Sequence, residues 1–359
     1  MIKTSLRWAL SVIGLVGAVV VVKTSPVASA LMVFGSVVFL AAASYEVFFS
    51  AVLAVAAILV PAMEAKIALM GLVIIQGASK RRIVDESSVG WGFVLTGIIL
   101  KEHWSGDILF HFALTVLGVF LLGGFWPATG SWLADNEPWG RRVARGILAL
   151  VLLRDTVPVF YPVSFEAWAP LLVFLPGIGV LWAAALSLSE KGQQRSLVLF
   201  WFFELQLLGV FVLGSRFLGT SRLHLLVWAL LLPLCCLIVV TTGRNSANGR
   251  RWGRLLGLVA VASILLLPGL IGFAASFLAV FTLLVSSPAG LVIFGIGVLA
   301  APMLLRPVRE DLRQATPEPT ALVAAGIALL LIVVLGLFPG LAKGEVSTQI
   351  LWEYLLASI

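Results

Sequence analysis

The sequence predicts an all-α fold, a polytopic transmembrane bundle of about 11–13 helices, some of them broken. Three observations lead there. The chain of 359 residues is 61% hydrophobic and only 11% charged, with a mean hydropathy of +1.11, whereas a soluble domain carries roughly 25% charged residues. Its apolar stretches recur at lengths close to the ~20 residues that cross a bilayer. No long polar stretch remains to build a second domain. Helices are the spanning element to expect, because lipid does not tolerate open sheet edges.

The spans fall near 8–22, 27–44, 46–62, 65–78, 89–100, 107–124, 143–160, 168–188, 196–214, 223–241, 254–273, 275–305 and 320–338. In the first, Lys3 and Arg7, the run from Trp8 to Val22 and the triplet Ala28-Ser29-Ala30 imitate a cleavable signal peptide. In a polytopic chain we expect an uncleaved helix there instead. Glu46, Glu64 and Lys66 cluster around the third and fourth spans, where they are expected to cap or flank helices at the interface. The 89–100 span is short enough to lie partly in the interface or strongly tilted. The 275–305 stretch is interrupted by "SSPAG" at 286–290 and reads as two helices or one broken one.

Pro158, Pro176, Pro233 and Pro268 all fall within apolar spans. A proline removes a backbone hydrogen bond and clashes with the preceding turn. In lipid the break persists only where neighbours or water satisfy the freed carbonyl. Pro158, Pro233 and Pro268 are therefore candidate helix breaks of the kind found in ion-conducting proteins, with ordinary kinks as the alternative. The segment 306–320, "RPVREDLRQATPEPT", is the one sizeable mixed-charge linker, and its "TPEP" is expected to be stiff and non-helical.

The net charge of +7 does not indicate nucleic-acid binding. The basic residues sit in short loops such as "SKRR" (79–82) and "GRNSANGRRWGR" (243–254), where they act as orientation signals. Cys235 and Cys236 are adjacent in an apolar span, and neighbouring helix residues point about 100° apart, so they read as small buried hydrophobes. The Cys and His spacing supports neither iron–sulfur nor haem ligation. No metal, cofactor or nucleotide loop is expected, and no catalytic constellation appears.

Charges inside the spans carry the functional argument. An unpaired charge at the bilayer centre costs about 2.5–3.5 kcal/mol on insertion scales. Glu204 lies nine residues beyond Arg195 in "RSLVLFWFFELQLLG", about 13 Å along a helix and close to mid-membrane. At that depth its carboxyl is either neutral or ionised beside a cation. Arg154 and Asp155 sit in "ILALVLLRDTVPVFYPV". Arg154 is the candidate partner of Glu204 across two packed helices, and the alternative is that the Arg-Asp step lies at the membrane edge. His111 and His224 stand near the starts of their spans, as proton carriers or as interfacial residues.

Several of these segments resemble a known pattern in the right order. "FWPATGSWLADNEPWG" offers Trp132, Leu133, Asp135 and Pro138, after which comes the helix through Arg154. Lys191, Arg195 and Gly209 then fall in register, with Glu204 where a serine is usual. "LHLLVWALLLPL" keeps His224, "LPGLIGFAASF" ends with Ser276, and "LGLFPGLA" lies near the C-terminus. Together they resemble the antiporter-like membrane subunits of respiratory complex I and of multisubunit cation/proton antiporters. Members of that family move protons through buried lysines and a glutamate. The resemblance puts Trp228 and Leu232 where a second histidine and a lysine belong, Ser276 in place of another lysine, Val55 near the place of the glutamate and Gly123 near that of a further lysine. Arg154 stands in for one lysine, but arginine is effectively never neutral and cannot relay a proton as lysine does.

The resemblance implies a shortened, degenerate member. It divides the chain into divergent N-terminal helices (1–105), an antiporter-like core (106–305), and a linker with a C-terminal transmembrane helix (306–359). The expected role is an integral membrane subunit of an ion-translocating assembly, acting as scaffold, seal or residual half-channel without catalytic chemistry of its own. Its expected partners are other membrane subunits and the lipid bilayer, with no nucleic acid, and its expected location is a bacterial inner membrane. The second reading is an active translocator with a relocated charge set of Glu204, Arg154, Asp155 and His224. A standalone secondary transporter is a third, against which stands the lack of an evident internal repeat.

Overall fold

A computed structural model describes residues 4–42, 45–62, 86–103, 108–123, 165–189, 222–242, 249–265 and 267–343, with individual helical residues inside 65–72, 143–152 and 197–208. The described residues are all-α, with no strand among them. They form α1 (Thr4–Val21), α2 (Pro26–Ala42), α3 (Tyr45–Leu59), α4 (Glu86–His103), α5 (Ile108–Gly123) and α6 (Phe165–Leu186). After these come α7 (Arg222–Thr242), α8 (Gly249–Ile264), α9 (Ile271–Ser286), α10 (Pro288–Leu304), α11 (Arg306–Gln314) and α12 (Pro319–Leu337). A short 3₁₀ helix, Pro339–Lys343, follows. Among the described residues, His224–Thr241, Pro288–Gln314 and Pro319–Leu337 are long and apolar enough to cross a membrane by themselves.

The centre of the bundle is α7. A helix apolar on every side must be surrounded, and "RLHLLVWALLLPLCCLIVVTT" has 94% of its 224–241 window buried. Helices α2, α8, α9 and α12 pack around it. Cys235 and Cys236 are buried there, and the Cys236 thiol donates to the Leu256 carbonyl of α8 at 3.5 Å. The outer helices turn large apolar side chains outward instead, such as Ile13, Val16, Val19 and Val20 on α1 and Val292 and Leu299 on α10. This pattern suits a lipid surround.

Helix α1 folds back on α2 as an antiparallel pair. The turn is set by Ser25, whose hydroxyl accepts from the Ala28 amide at 3.3 Å, with Pro26 opening the next helix. Gly14 lies against the Ser36 hydroxyl and Gly17 against the end of Met32. At the far end Arg7 donates to the Ala41 carbonyl at 3.0 Å, satisfying one of the acceptors that a helix C-terminus leaves open. The next pair, α4–α5, is tighter still. A Cβ at Gly118 would sit 2.6 Å from the Gly90 oxygen and 2.7 Å from the Val94 nitrogen, so these two backbones touch. Small residues permit such an approach in membrane helices. The 89–100 span, expected to be short, remains a short apolar stretch, Val89–Lys101, within an 18-residue helix, Glu86–His103. Its flanking Glu86 and Lys101–His103 are helical too.

Three contacts settle how the C-terminal half is threaded. Gly253 and Gly257 of α8 lie against Pro317 and Leu312, so α8 begins where α12 begins. Gly336 of α12 lies against the Gly269–Ile271 backbone, so α12 ends where α9 begins. Between these points α9 and α10 must return to the first end. Together they make one net crossing, interrupted at Ser287, whose hydroxyl accepts from the Gly290 amide at 3.2 Å. At 16 and 17 residues they total about 50 Å of helix, well beyond the ~30 Å hydrocarbon core. They therefore cannot stand in line along the membrane normal.

The expected 254–273 span ends as helix at Ile264. Pro268 and Gly269 sit in the turn that follows, Gly269 at φ +83°, a left-handed conformation that glycine adopts without a Cβ penalty. Pro233, by contrast, lies inside an uninterrupted α7, and Pro176 lies inside α6. The linker also differs from expectation. "RPVREDLRQ" is the helix α11, because Pro307, Val308 and Leu312 form one inward face while the arginines face out; only the following 315–318 is non-helical.

The C-terminal 3₁₀ turn is tied to the hub by Trp228, whose indole donates to the Ala342 carbonyl at 3.1 Å in a buried site. Trp228→Phe keeps the ring and strands that carbonyl. We expect a loss of about 1–2 kcal/mol and faster proteolytic clipping beyond Gly336, read by limited digestion; unchanged digestion would exclude the tie.

Candidate functional site

Glu204 is the buried acid that the sequence singles out, and it is 0% exposed. It lies on a helical stretch whose described members, Leu197, Val198, Phe200, Trp201, Phe202, Leu205 and Leu208, are all buried. Three packing contacts hold this stretch in place. The Trp201 indole donates to the Gly297 carbonyl of α10 at 3.1 Å. A Cβ at Gly297 would stand 2.8 Å from Leu205 and 2.7 Å from Val180 of α6. A Cβ at Gly179 would stand 2.6 Å from Glu204 Cγ, 2.7 Å from Cδ and 2.9 Å from Oε2. Glycine at 179 is thus what leaves room for the carboxyl group between α6 and its own helix. Among the described residues neither carboxyl oxygen has a hydrogen-bond partner.

The other candidates are distributed over different helix packings. His224 is the third residue of α7, near the end of the bundle where Trp228 meets Ala342, and is 4% exposed. His111 is the fourth residue of α5, 3% exposed, and its carbonyl accepts from the Thr115 hydroxyl at 2.9 Å. Both stand at helix starts, as their positions in the spans indicate, and both are enclosed by protein. Arg154, Asp155 and Pro158 lie outside the described residues, as do Glu64, Trp132, Leu133, Asp135, Pro138, Lys191, Arg195 and Gly209.

Two features were not foreseen. Lys66, expected to flank a helix at the interface, is buried at 8% exposure. The apolar run that follows it, "IALMGLVII", was the available signal. The glycine seat for Glu204 was also missed, since "PGIGV" in one span does not say which side chain it will face.

The positions where the resemblance puts protonatable groups are filled differently here. Val55 of α3 is buried at 7%, Trp228 and Leu232 of α7 at 4% and 1%, and Ser276 of α9 at 1%. The buried polar groups among the described residues are spread over different helix packings in an apolar interior. Among the described residues no group of three or more His, Cys, Asp or Glu side chains is placed to hold a metal ion.

No family model matches the sequence, and neither does any curated protein. Solved structures do. A chain in the structure of respiratory complex I from Thermus thermophilus with bound NADH superposes with a TM-score of 0.65 at 15% identity, covering 92% of this chain and 85% of that one. A chain in the structure of respiratory complex I from Thermus thermophilus with bound aureothin gives a TM-score of 0.59 at 13% identity, covering 94% of this chain and 99% of that one. The chain shares its fold, nearly end to end, with these chains of respiratory complex I.

Proposed function

We propose that this chain is an integral membrane subunit of a complex I-like assembly that serves as a scaffold and seal rather than as a complete proton conduit. The fold shared over 92% of the chain supports membership of such an assembly. The observation that carries the scaffold role is the content of α7. Where a relay needs side chains that exchange protons as neighbouring charges change, Trp228 and Leu232 pack as buried apolar bodies, and the Trp228 indole is committed to a structural hydrogen bond. Val55 and Ser276 extend the same substitution to α3 and α9. Other membrane subunits, a bacterial inner membrane and a division at about 105 and 305 belong to this reading.

The test has two arms. Gentle detergent extraction of the tagged protein should recover a multisubunit complex; a monodisperse lone chain would remove the assembly. Within that complex, Glu204→Gln with Arg154→Gln should leave coupled ion movement within about twofold of wild type, a change under ~0.5 kcal/mol. A loss of tenfold or more would establish the relocated charge set as a working path. Glu204 is the specific observation in favour of that second reading, because a carboxyl group buried at mid-span without a partner among the described residues is the kind of group a translocator uses.

A further inference from the structure

Among the described residues, exposed arginines concentrate where α8 meets α11, at a bundle end. Arg251 and Arg254 occupy the first turns of α8, and Arg306, Arg309 and Arg313 occupy α11; all five are exposed. The two helices are locked together. Gly257 lies against Leu312, Gly253 against Pro317, and the Arg254 guanidinium donates to the Arg313 carbonyl at 2.8 Å. That last bond brings two like-charged residues side by side. Glu310 and Asp311 on α11 and Glu318 before α12 are fewer than the five arginines and leave the patch cationic. Helix α11 connects the end of α10 to the start of α12, with Pro307, Val308 and Leu312 turned to the protein. It therefore sits at the end of the bundle where α8 and α12 begin.

The exposed face of α8 changes character within two turns. Arg251, Leu255 and Leu258 follow one another at helical spacing on one stripe, and the two leucines are 50% and 62% exposed. Trp252 beside them is 62% exposed, a side chain suited to the membrane boundary. The stripe runs from guanidinium to bare hydrocarbon over about 10 Å, the polarity profile of a phospholipid from phosphate to acyl chain.

We propose that the face built by Arg251 and Arg254 of α8 with Arg306, Arg309 and Arg313 of α11 binds the headgroup of an anionic phospholipid, whose acyl chains lie along Leu255 and Leu258. Basic groups at a membrane surface attract anionic headgroups, and guanidinium is matched to phosphate geometry. The inference rests on the chain spanning a bilayer and not on its parent assembly, so it stands or falls separately from the scaffold reading.

The full-length chain, purified in micelles doped with equal amounts of phosphatidylglycerol and phosphatidylcholine, is analysed by native mass spectrometry for retained lipid. Phosphatidylglycerol should be retained over phosphatidylcholine by roughly tenfold or more. Arg251→Gln/Arg309→Gln/Arg313→Gln should abolish the preference, and the corresponding triple lysine variant should keep most of it. Arg254 is left intact because its bond to Arg313 is structural. If the triple glutamine variant does not fold, Arg309→Gln alone should lower the preference by about fivefold. Equal retention of the two lipids by the wild type overturns the proposal, as does a preference that survives the glutamine changes. Loss of the preference in millimolar inorganic phosphate also overturns it, since that marks a simple anion site.

Discussion

Gly90→Ala and Gly118→Ala each destabilise the protein by about 2–3 kcal/mol, whereas Gly92→Ala on the same helix as Gly90 is neutral or stabilising by up to ~1 kcal/mol. The contrast comes from what a methyl group would meet. At Gly90 it overlaps the Leu122 amide nitrogen and lies 2.6 Å from the Gly118 oxygen and 2.9 Å from the Leu121 carbonyl carbon. At Gly118 it meets the Gly90 oxygen at 2.6 Å and the Val94 nitrogen at 2.7 Å. These are mostly backbone atoms in two regular helices, so no rotamer change relieves the overlap and the helices themselves must separate. At Gly92 nothing lies within 4 Å. Thermal unfolding of the three variants in one detergent reads the difference directly. Equal melting temperatures for Gly90→Ala and Gly92→Ala would mean that α4 and α5 are not in backbone contact.

That contrast also marks where sequence reasoning stops. The existence of the helices was legible, because continuous apolar runs leave lipid-embedded chains few alternatives, and the burial of Glu204 followed from its apolar surroundings in the sequence. The positions of His111 and His224 at helix starts followed in the same way. Which glycine faces a backbone and which faces open space depends on the rotation of two helices about their axes, and "GWG" at 90–92 is silent on that. The single crossing made by α9 and α10 was out of reach for a related reason. It is fixed by contacts 67 residues apart in sequence, between Gly336 and Gly269, while "SSPAG" alone suits a hairpin as well as a break. Helix α11 was hidden by its charge: three arginines and two acids in nine residues read as linker until Pro307, Val308 and Leu312 are seen to share one buried face. The resemblance rested on segments between about 126 and 342, yet the divergent stretch before residue 105 supplies α2, which packs on α7 and α12.

Glu204→Leu is expected to stabilise the protein by about 1–3 kcal/mol. The carboxyl group has lost its water, being 0% exposed, and has gained no hydrogen-bond partner among the described residues. A buried polar group left in that condition costs about 1–3 kcal/mol, and an apolar group of similar shape removes the cost. Leucine suits the seat because the described residues of the same stretch, Trp201, Phe202, Leu205 and Leu208 among them, are buried and apolar. Gly179 supplies the complementary measurement. A methyl there would lie 2.6–2.9 Å from Glu204 Cγ, Cδ and Oε2, so Gly179→Ala should destabilise the wild type. In a Glu204→Ala background the same change should be tolerated, with a coupling energy of about 1–3 kcal/mol in the double-mutant cycle. The opposite sign for Glu204→Leu, a loss of about 3–5 kcal/mol, is what removal of one member of a buried ion pair produces. That result would show the carboxylate holding a cation, with Arg154 the residue to test next, and would move the weight of argument from scaffold to conduit. A stabilised Glu204→Leu protein that still assembles with its partners would leave this acid as a group that the structure tolerates and does not use.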